Sequence, residues 1–143
     1  MMCKVLIFAC ISVAMLMTTA YGATLPPKEQ DILPTLISDL ELLEKSKNKI
    51  HLELYTPSET QECIHQTLQC YQKEIITLRK EIEDEPEIEN KVRTALQHIE
   101  NNLDTLMEQT PIGGECKICE ANDKKSFPDF HQKLTDFLRS MHK

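Results

Sequence analysis

The spacing of four cysteines constrains the fold of this chain more than any other feature. Cys63 and Cys70 are seven residues apart. On a helix they would face the same side, with their Cα atoms about 10 Å apart, which exceeds the ~7 Å limit for a disulfide. If their segment is helical, each must therefore pair with one of the two later cysteines, Cys116 and Cys119. The spacing leaves both orders of pairing open, and it favours a secreted helical bundle held by two adjacent bridges.

The first 22 residues have the composition of a secretory signal peptide. Lys4 precedes a short apolar run, and small residues follow as far as Gly22. The run of about 13 apolar residues is shorter than the ~20 that a transmembrane helix needs. We therefore expect secretion, cleavage after Gly22 and one mature domain over residues 23–143. The two remaining cysteines of the chain leave with the signal, so the domain keeps an even number in an oxidising compartment.

The charge and composition of the predicted domain argue against several classes of protein. The formal charge of −7 becomes −8 without the signal segment, because Lys4 is the only charged side chain there. An acidic domain without a basic stripe is a poor candidate for binding nucleic acid or anionic lipid. Three glycines, no tryptophan and abundant Leu, Ile, Glu and Lys favour helices over a β-sandwich. We expect a monomer without a membrane-inserted segment in the domain.

Apolar residues recur at three- and four-residue steps in four segments, which we predict to be helices. The first covers about 31–48, and Pro34 is tolerated there because it falls in the first turn. The second begins at Thr56, which would form a capping box with the acid three residues later. The third starts at Pro86 and the fourth at Ser126. The predicted core positions are Leu33, Leu36, Ile37, Leu40 and Leu43; Ile64, Leu68, Tyr71, Ile75, Leu78 and Ile82; Val92, Ala95, Leu96, Ile99, Leu103 and Leu106; and Phe130, Leu134, Phe137, Leu138 and Met141.

The lengths of the connections predict how the four helices run. Only residues 83–85 separate the second and third segments, so these helices should be antiparallel neighbours. The connections over 49–55 and 109–125 can each cross the length of a bundle in an extended conformation. Two crossovers around one tight turn predict an all-α, short-chain four-helix bundle with up-up-down-down topology.

Five short motifs occur in the order and near-identical spacing of one cytokine family. They are Ile37-Ser38-Asp39-Leu40, Leu54-Tyr55-Thr56, the C-x6-C of Cys63 and Cys70, Glu115-Cys116-Lys117-Ile118-Cys119-Glu120, and Asp129-Phe130. The chain thus resembles the interleukin-15 family, with interleukin-21 and interleukin-2 as more distant relatives. The resemblance covers the whole predicted domain. It implies that Cys63 pairs with Cys116 and that Cys70 pairs with Cys119.

The resemblance also implies a ligand that acts by binding receptors and not by chemistry. Members of this family bridge a beta receptor chain and the common gamma chain and thereby signal to lymphocytes. Asp39 matches the helix-one acid that meets the beta chain, and Asn90 and Thr94 fall on beta-chain positions where the residue types differ from the family's. Arg139 stands where the family has a glutamine for the gamma chain. It lies opposite the apolar stripe of its helix, so we expect it to be exposed.

An alpha receptor chain would meet a third surface. Tyr55, Glu74 and Glu81 match positions that the family uses for this contact. The two glutamates are seven residues apart and off the apolar stripe, so we expect both on one exposed face. An acidic run continues from Glu81 to Glu89 and would steer a basic partner. The alternative interpretation of such a run is a solvated surface without a partner.

Two other classes of function remain to be weighed. An enzyme needs convergent groups, but the five histidines are scattered without metal-ligand spacing, and no nucleophile motif or glycine-rich loop is present. We therefore expect no catalysis, no cofactor and no metal. The other alternative is a secreted, disulfide-linked helical carrier of an apolar ligand. A carrier needs an internal cavity, whereas a cytokine needs a filled core.

Overall fold

The computed structural model of the protein describes residues 27–58 and 61–141. The predicted signal peptide and its cleavage site after Gly22 lie outside these residues. The hydrophobic core belongs to the compact unit that begins at Ile32. Among the described residues, no helix has both the length and the apolar character that crossing a membrane requires.

Four α-helices form the bundle: α1 (Pro27–Glu44), α2 (Ile64–Glu81), α3 (Asn90–Glu108) and α4 (Phe127–Met141). Single turns of 3₁₀-helix cover Lys47–Lys49, Gln61–Cys63 and Cys119–Ala121. All predicted core positions of α3 are buried, and so are most of those on the other helices. The exceptions are Ile37, Ile64 and Met141, which are partly buried and pack against the core. The predicted four-helix bundle and its core are therefore confirmed.

A short antiparallel ribbon joins the two long connections, and the sequence did not predict it. Strand β1 (Glu53–Tyr55) pairs with β2 (Lys124–Ser126), and Leu54 lies opposite Lys125. The Thr56 N–H donates to the Asp123 carbonyl at 2.9 Å and extends the pairing. Crossovers that traverse a bundle in opposite directions must run antiparallel where they meet. The ribbon is therefore the arrangement that up-up-down-down topology requires.

The observed start of α1 corrects the prediction for Pro34. Because the helix begins at Pro27, Pro34 is its eighth residue and not part of its first turn. A proline inside a helix removes one backbone hydrogen bond. The buried side chains of Leu33, Leu36 and Leu40 lie on the same face around it, and their burial offsets that loss. The helix also ends earlier than predicted, since the turn Lys47–Lys49 replaces its last residues.

The predicted capping box at Thr56 is wrong. The Thr56 hydroxyl donates to the Leu54 carbonyl at 2.9 Å, while the Thr56 backbone extends the ribbon. The helix itself begins at Ile64, after the 3₁₀ turn. Pairing with β2 holds this segment in an extended conformation, which a helix start at Thr56 would prevent.

The third helix begins four residues later than predicted, at Asn90 instead of Pro86. Arg93 explains the longer turn, because its guanidinium donates to the carbonyls of Ile82 at 3.0 Å, Glu85 at 2.6 Å and Ile88 at 2.7 Å. One side chain thus links three carbonyls of the turn, two of which, those of Ile82 and Glu85, also accept backbone N–H groups. The turn between α2 and α3 is therefore ordered by a cation.

Both disulfides have the pairing that the resemblance implied. The Cα atoms of Cys63 and Cys116 are 6.0 Å apart, and those of Cys70 and Cys119 are 5.1 Å apart. Gln66 adds a non-covalent link beside the first bridge. The Gly113 N–H donates to the Gln66 amide oxygen at 3.2 Å, and the Gln66 amide nitrogen donates to the Gly113 carbonyl at 3.3 Å. The loop after α3 is thus fixed to α2 at three points.

Mapping the disulfides in the secreted protein tests the cysteine assignment. Peptides from a non-reducing digest should join Cys63 to Cys116 and Cys70 to Cys119. Replacing both Cys63 and Cys116 by Ser should lower the free energy of unfolding by about 2–5 kcal/mol, as for other native bridges of small secreted domains. A digest in which Cys116 is bonded to Cys119 would contradict the assignment.

The close approach of Gly113 to the 3₁₀ turn before α2 predicts a sharp difference between two neighbouring glycines. A Cβ on Gly113 would lie 2.1 Å from the Glu62 carbonyl oxygen, whereas a Cβ on Gly114 would have no atom within 4 Å. Gly113→Ala should therefore cost about 1–3 kcal/mol, as overpacking commonly does. The matched control Gly114→Ala should stay within about 0.5 kcal/mol of the parent. Urea denaturation measures the stability of both variants, and equal midpoints would show that the loop does not contact this turn so closely.

Candidate functional site

Asp39 on α1 has an unsatisfied carboxylate. The side chain is partly buried, and its Oδ2 atom is buried without a hydrogen-bond partner among the described residues. This burial raises the pKa of Asp39, while the nearby His98 on α3 acts in the opposite direction. An unsatisfied buried acceptor typically costs about 1–3 kcal/mol. Asp39 is therefore an acid whose position weakens the isolated fold.

The residues predicted beside Asp39 lie on α3. Asn90 and Thr94 are exposed and four residues apart, so they share one face of the helix. His98 is exposed, lies four residues further along this face, and is near enough to Asp39 to affect its pKa. The spacing of the histidines along the chain, which excludes a metal site, did not predict this place for His98. Its four-residue step from Thr94 was the signal that could have found it.

Glu74 is not on the exposed face where the sequence placed it. Only 6% of the residue is exposed, and its Oε1 accepts a hydrogen bond from the Tyr55 backbone N–H at 2.9 Å. The unpredicted ribbon covers this part of α2, and a buried carboxylate needs such a donor. Glu81 is exposed, as expected. Glu81 is therefore a surface residue and Glu74 is not, so the expectation that both are exposed is wrong for Glu74.

The ribbon brings charged side chains from three elements together around Tyr55. The Lys124 ammonium lies 5.0 Å from the centre of the Tyr55 ring, within the range of a cation–π contact. Lys73 on α2 forms an exposed ion pair with Glu120 in the loop that follows α3. Tyr55 thus has a lysine from β2 over its ring, and it lies near enough to Lys73 for the two side chains to interact electrostatically.

Arg139 is exposed near the end of α4, as predicted. Its Nη2 lies 3.7 Å from Oε2 of Glu41 on α1. One turn before the middle of α4, the buried His131 donates from Nε2 to the Leu40 carbonyl at 2.7 Å. This bond fixes α4 against α1 and sets the position from which Arg139 projects. This role of His131 was not predicted from the sequence.

The turn between α2 and α3 carries much of the negative charge of the molecule. Residues 81–89 include six acidic residues, all of them exposed, and no lysine or arginine. The six acids are Glu81, Glu83, Asp84, Glu85, Glu87 and Glu89. At least one of them, Glu89, also contacts Lys91 at 3.4 Å. The predicted acidic surface is therefore present at one end of the bundle, but the buried Glu74 is not part of it.

These features define the class of protein. A short-chain four-helix bundle with two crossovers paired in a ribbon, two disulfides and charged surfaces on separate faces is a helical cytokine fold. A model of the family described as Interleukin 15 matches residues 5–142. The chain therefore belongs to the interleukin-15 family of cytokines, which is not a family of enzymes. No curated protein matches the chain significantly.

Two glutamates on one helix provide a matched test of the site geometry. Glu74→Ala leaves the Tyr55 N–H without its acceptor, so it should lower the free energy of unfolding by about 1–3 kcal/mol. Glu81→Ala changes the same side chain at an exposed position and should cost less than about 0.5 kcal/mol. Denaturation in urea measures both values. Equal effects of the two changes would contradict the burial of Glu74.

Proposed function

We propose that this protein is a secreted cytokine that bridges a beta receptor chain and the common gamma chain to signal to lymphocytes. Membership of the interleukin-15 family supports a receptor-binding role. The basic residue, apolar run and small residues at the start of the chain support secretion, with removal of residues 1–22 after Gly22. The buried side chains of the helices form a continuous core, which suits a cytokine better than a carrier with an internal cavity.

The unsatisfied carboxylate of Asp39 carries this proposal. A partly buried acid with a free acceptor atom weakens the isolated protein, and such positions commonly serve function. A donor from the beta chain would satisfy Oδ2 and recover the lost hydrogen bond. Asn90 and Thr94 would continue the contact along the exposed face of α3. The binding energy would then come in part from a group that the free fold leaves unpaired.

Contact with the gamma chain is proposed at Arg139. Where the family has a neutral glutamine, this protein presents a guanidinium beside Glu41. The two charges would limit the choice of partner surface, because a partner must match a cation and an anion from adjacent helices. The hydrogen bond between His131 and Leu40 keeps these helices in register. The gamma contact would therefore depend on the packing of α4 on α1.

An alpha receptor chain is proposed to bind around Tyr55 and Glu81. Glu74 would support this contact indirectly, since its carboxylate holds the backbone N–H of Tyr55. The acidic turn next to Glu81 would attract a basic receptor module and raise the association rate. We thus propose that Glu74 positions the Tyr55 ring for the alpha chain and does not contact this chain directly.

The Asp39→Asn variant tests the beta-chain contact against stability. Loss of a charge paired in a desolvated interface costs about 2 kcal/mol or more, so affinity for the beta-chain ectodomain should fall by about 30-fold or more. Because burial raises the pKa of Asp39, the protonated acid favours the fold at low pH, and this contribution is lost as pH rises through the folded-state pKa. At pH 7 the melting temperature of the variant should therefore equal or exceed that of the parent.

An exposed aspartate provides the control for this test. Asp104→Asn on α3 removes the same charge at a solvent-exposed position and should leave both affinity and melting temperature unchanged. Surface binding to the beta-chain ectodomain and thermal unfolding at pH 4 and pH 7 measure the effects. Undiminished affinity of the Asp39→Asn variant would show that Asp39 is only part of the surface.

A further inference from the structure

Three lysines without an ion pair surround one surface pocket. Lys117 comes from the loop between the disulfide cysteines, Lys125 from β2 and Lys133 from α4, and all three line a pocket of about 440 Å³. None of them forms a side-chain hydrogen bond or ion pair with another described residue, whereas Lys47 and Lys73 each pair with a glutamate. We propose that this pocket, the lysine pocket, binds a sulfated polysaccharide.

The backbone around the lysine pocket is fixed before any ligand arrives. Lys117 lies between Cys116 and Cys119, which are both bridged to the α2 side of the molecule. Lys125 pairs with Leu54 in the ribbon, and Lys133 lies on a helix. The three lysines outnumber the two carboxylates that line the same pocket, so a bound anion relieves the repulsion that remains between the ammonium groups. A site with a fixed backbone loses less conformational freedom on binding than a mobile loop.

The other polar groups of the lysine pocket select the class of anion. Asp123 and Asp136 line the same pocket, together with Ser58 and Asn122. Two carboxylates would repel a small inorganic anion, which has no hydrogen-bond donors to offer them. They would accept hydrogen bonds from sugar hydroxyls, while the lysines contact sulfate groups. A chain that alternates hydroxyls and sulfates fits this mixture, and this is the chemistry of a sulfated glycan.

The negative charge of the whole protein does not oppose such binding strongly. Six acids and no basic residue lie within residues 81–89, so most of the net charge is at the far end of α2. Tyr71 lines the lysine pocket and precedes Glu81 by ten residues, which is about 15 Å along a helix. The Debye length at physiological salt is about 8 Å. The acidic turn is therefore largely screened from the pocket.

Heparin is the probe for this proposal. The parent should bind immobilised heparin at physiological salt and elute as salt increases. The variant Lys117→Ala/Lys125→Ala/Lys133→Ala should bind at least about tenfold more weakly and show a shallower salt dependence, because fewer counterions are released from the glycan. The control Lys45→Ala/Lys49→Ala/Lys80→Ala removes the same charge from residues that also have no ion pair among the described residues. It should bind like the parent.

Each outcome distinguishes the site from general charge attraction. Equal losses in the two triple variants would overturn the proposal, and so would a parent that does not bind heparin at physiological salt. Equal binding of the parent to desulfated heparin would overturn the assignment to sulfate groups. Circular dichroism confirms that both variants are folded. Affinity of the lysine-pocket variant for the beta-chain ectodomain should stay unchanged, so failure here is separable from failure of the receptor proposal.

Discussion

Attachment of the loop after α3 to α2 is the constraint on which the rest of the structure depends. Two disulfides hold this loop, and the amide pair between Gln66 and Gly113 reinforces them. Because the loop lies along α2, its continuation can form β2 and pair with β1. That pairing in turn buries Glu74, orients Tyr55 and places three lysines around one pocket. The covalent links between this loop and the α2 side of the molecule thus determine what a large part of the surface presents.

Regular periodicity made the helices and their core predictable from the sequence. The stripes of α2, α3 and α4 are buried almost as expected, because an amphipathic helix has one way to hide its apolar face. The ribbon was not predictable, since strands of three residues such as Glu53–Tyr55 and Lys124–Ser126 show no useful alternation. The errors at Thr56 and Glu74 both follow from that omission. Cysteine spacing predicted two bridges, whereas their order came from the family resemblance and was confirmed by the structure.

The sequence predicted where the candidate site lies but not how burial destabilises its carboxylate. The motif Ile37-Ser38-Asp39-Leu40 identified Asp39, while only the structure shows that one of its oxygens is buried and unpaired. His98 and His131 were missed because their roles depend on neighbours from another helix. The contact of His131 with Leu40 has no local sequence signal, whereas the four-residue step from Thr94 could have pointed to His98. A buried, unpaired acceptor such as Asp39 Oδ2 breaks a rule of stable folds, and inconsistencies of this type are expected at functional sites.

The amide pair beside the first bridge also affects how the protein acquires its disulfides. Gln66 follows Cys63 by three residues, and Gly113 precedes Cys116 by three. Their hydrogen bonds do not depend on the oxidation state of either cysteine, so they can hold the two thiols together before oxidation. This proximity raises the effective concentration of the native partners for each other. It thereby favours the native bond between Cys63 and Cys116 over a short-range bond between Cys116 and Cys119. An uncharged side chain, that of Gln66, thus helps to select which disulfide forms.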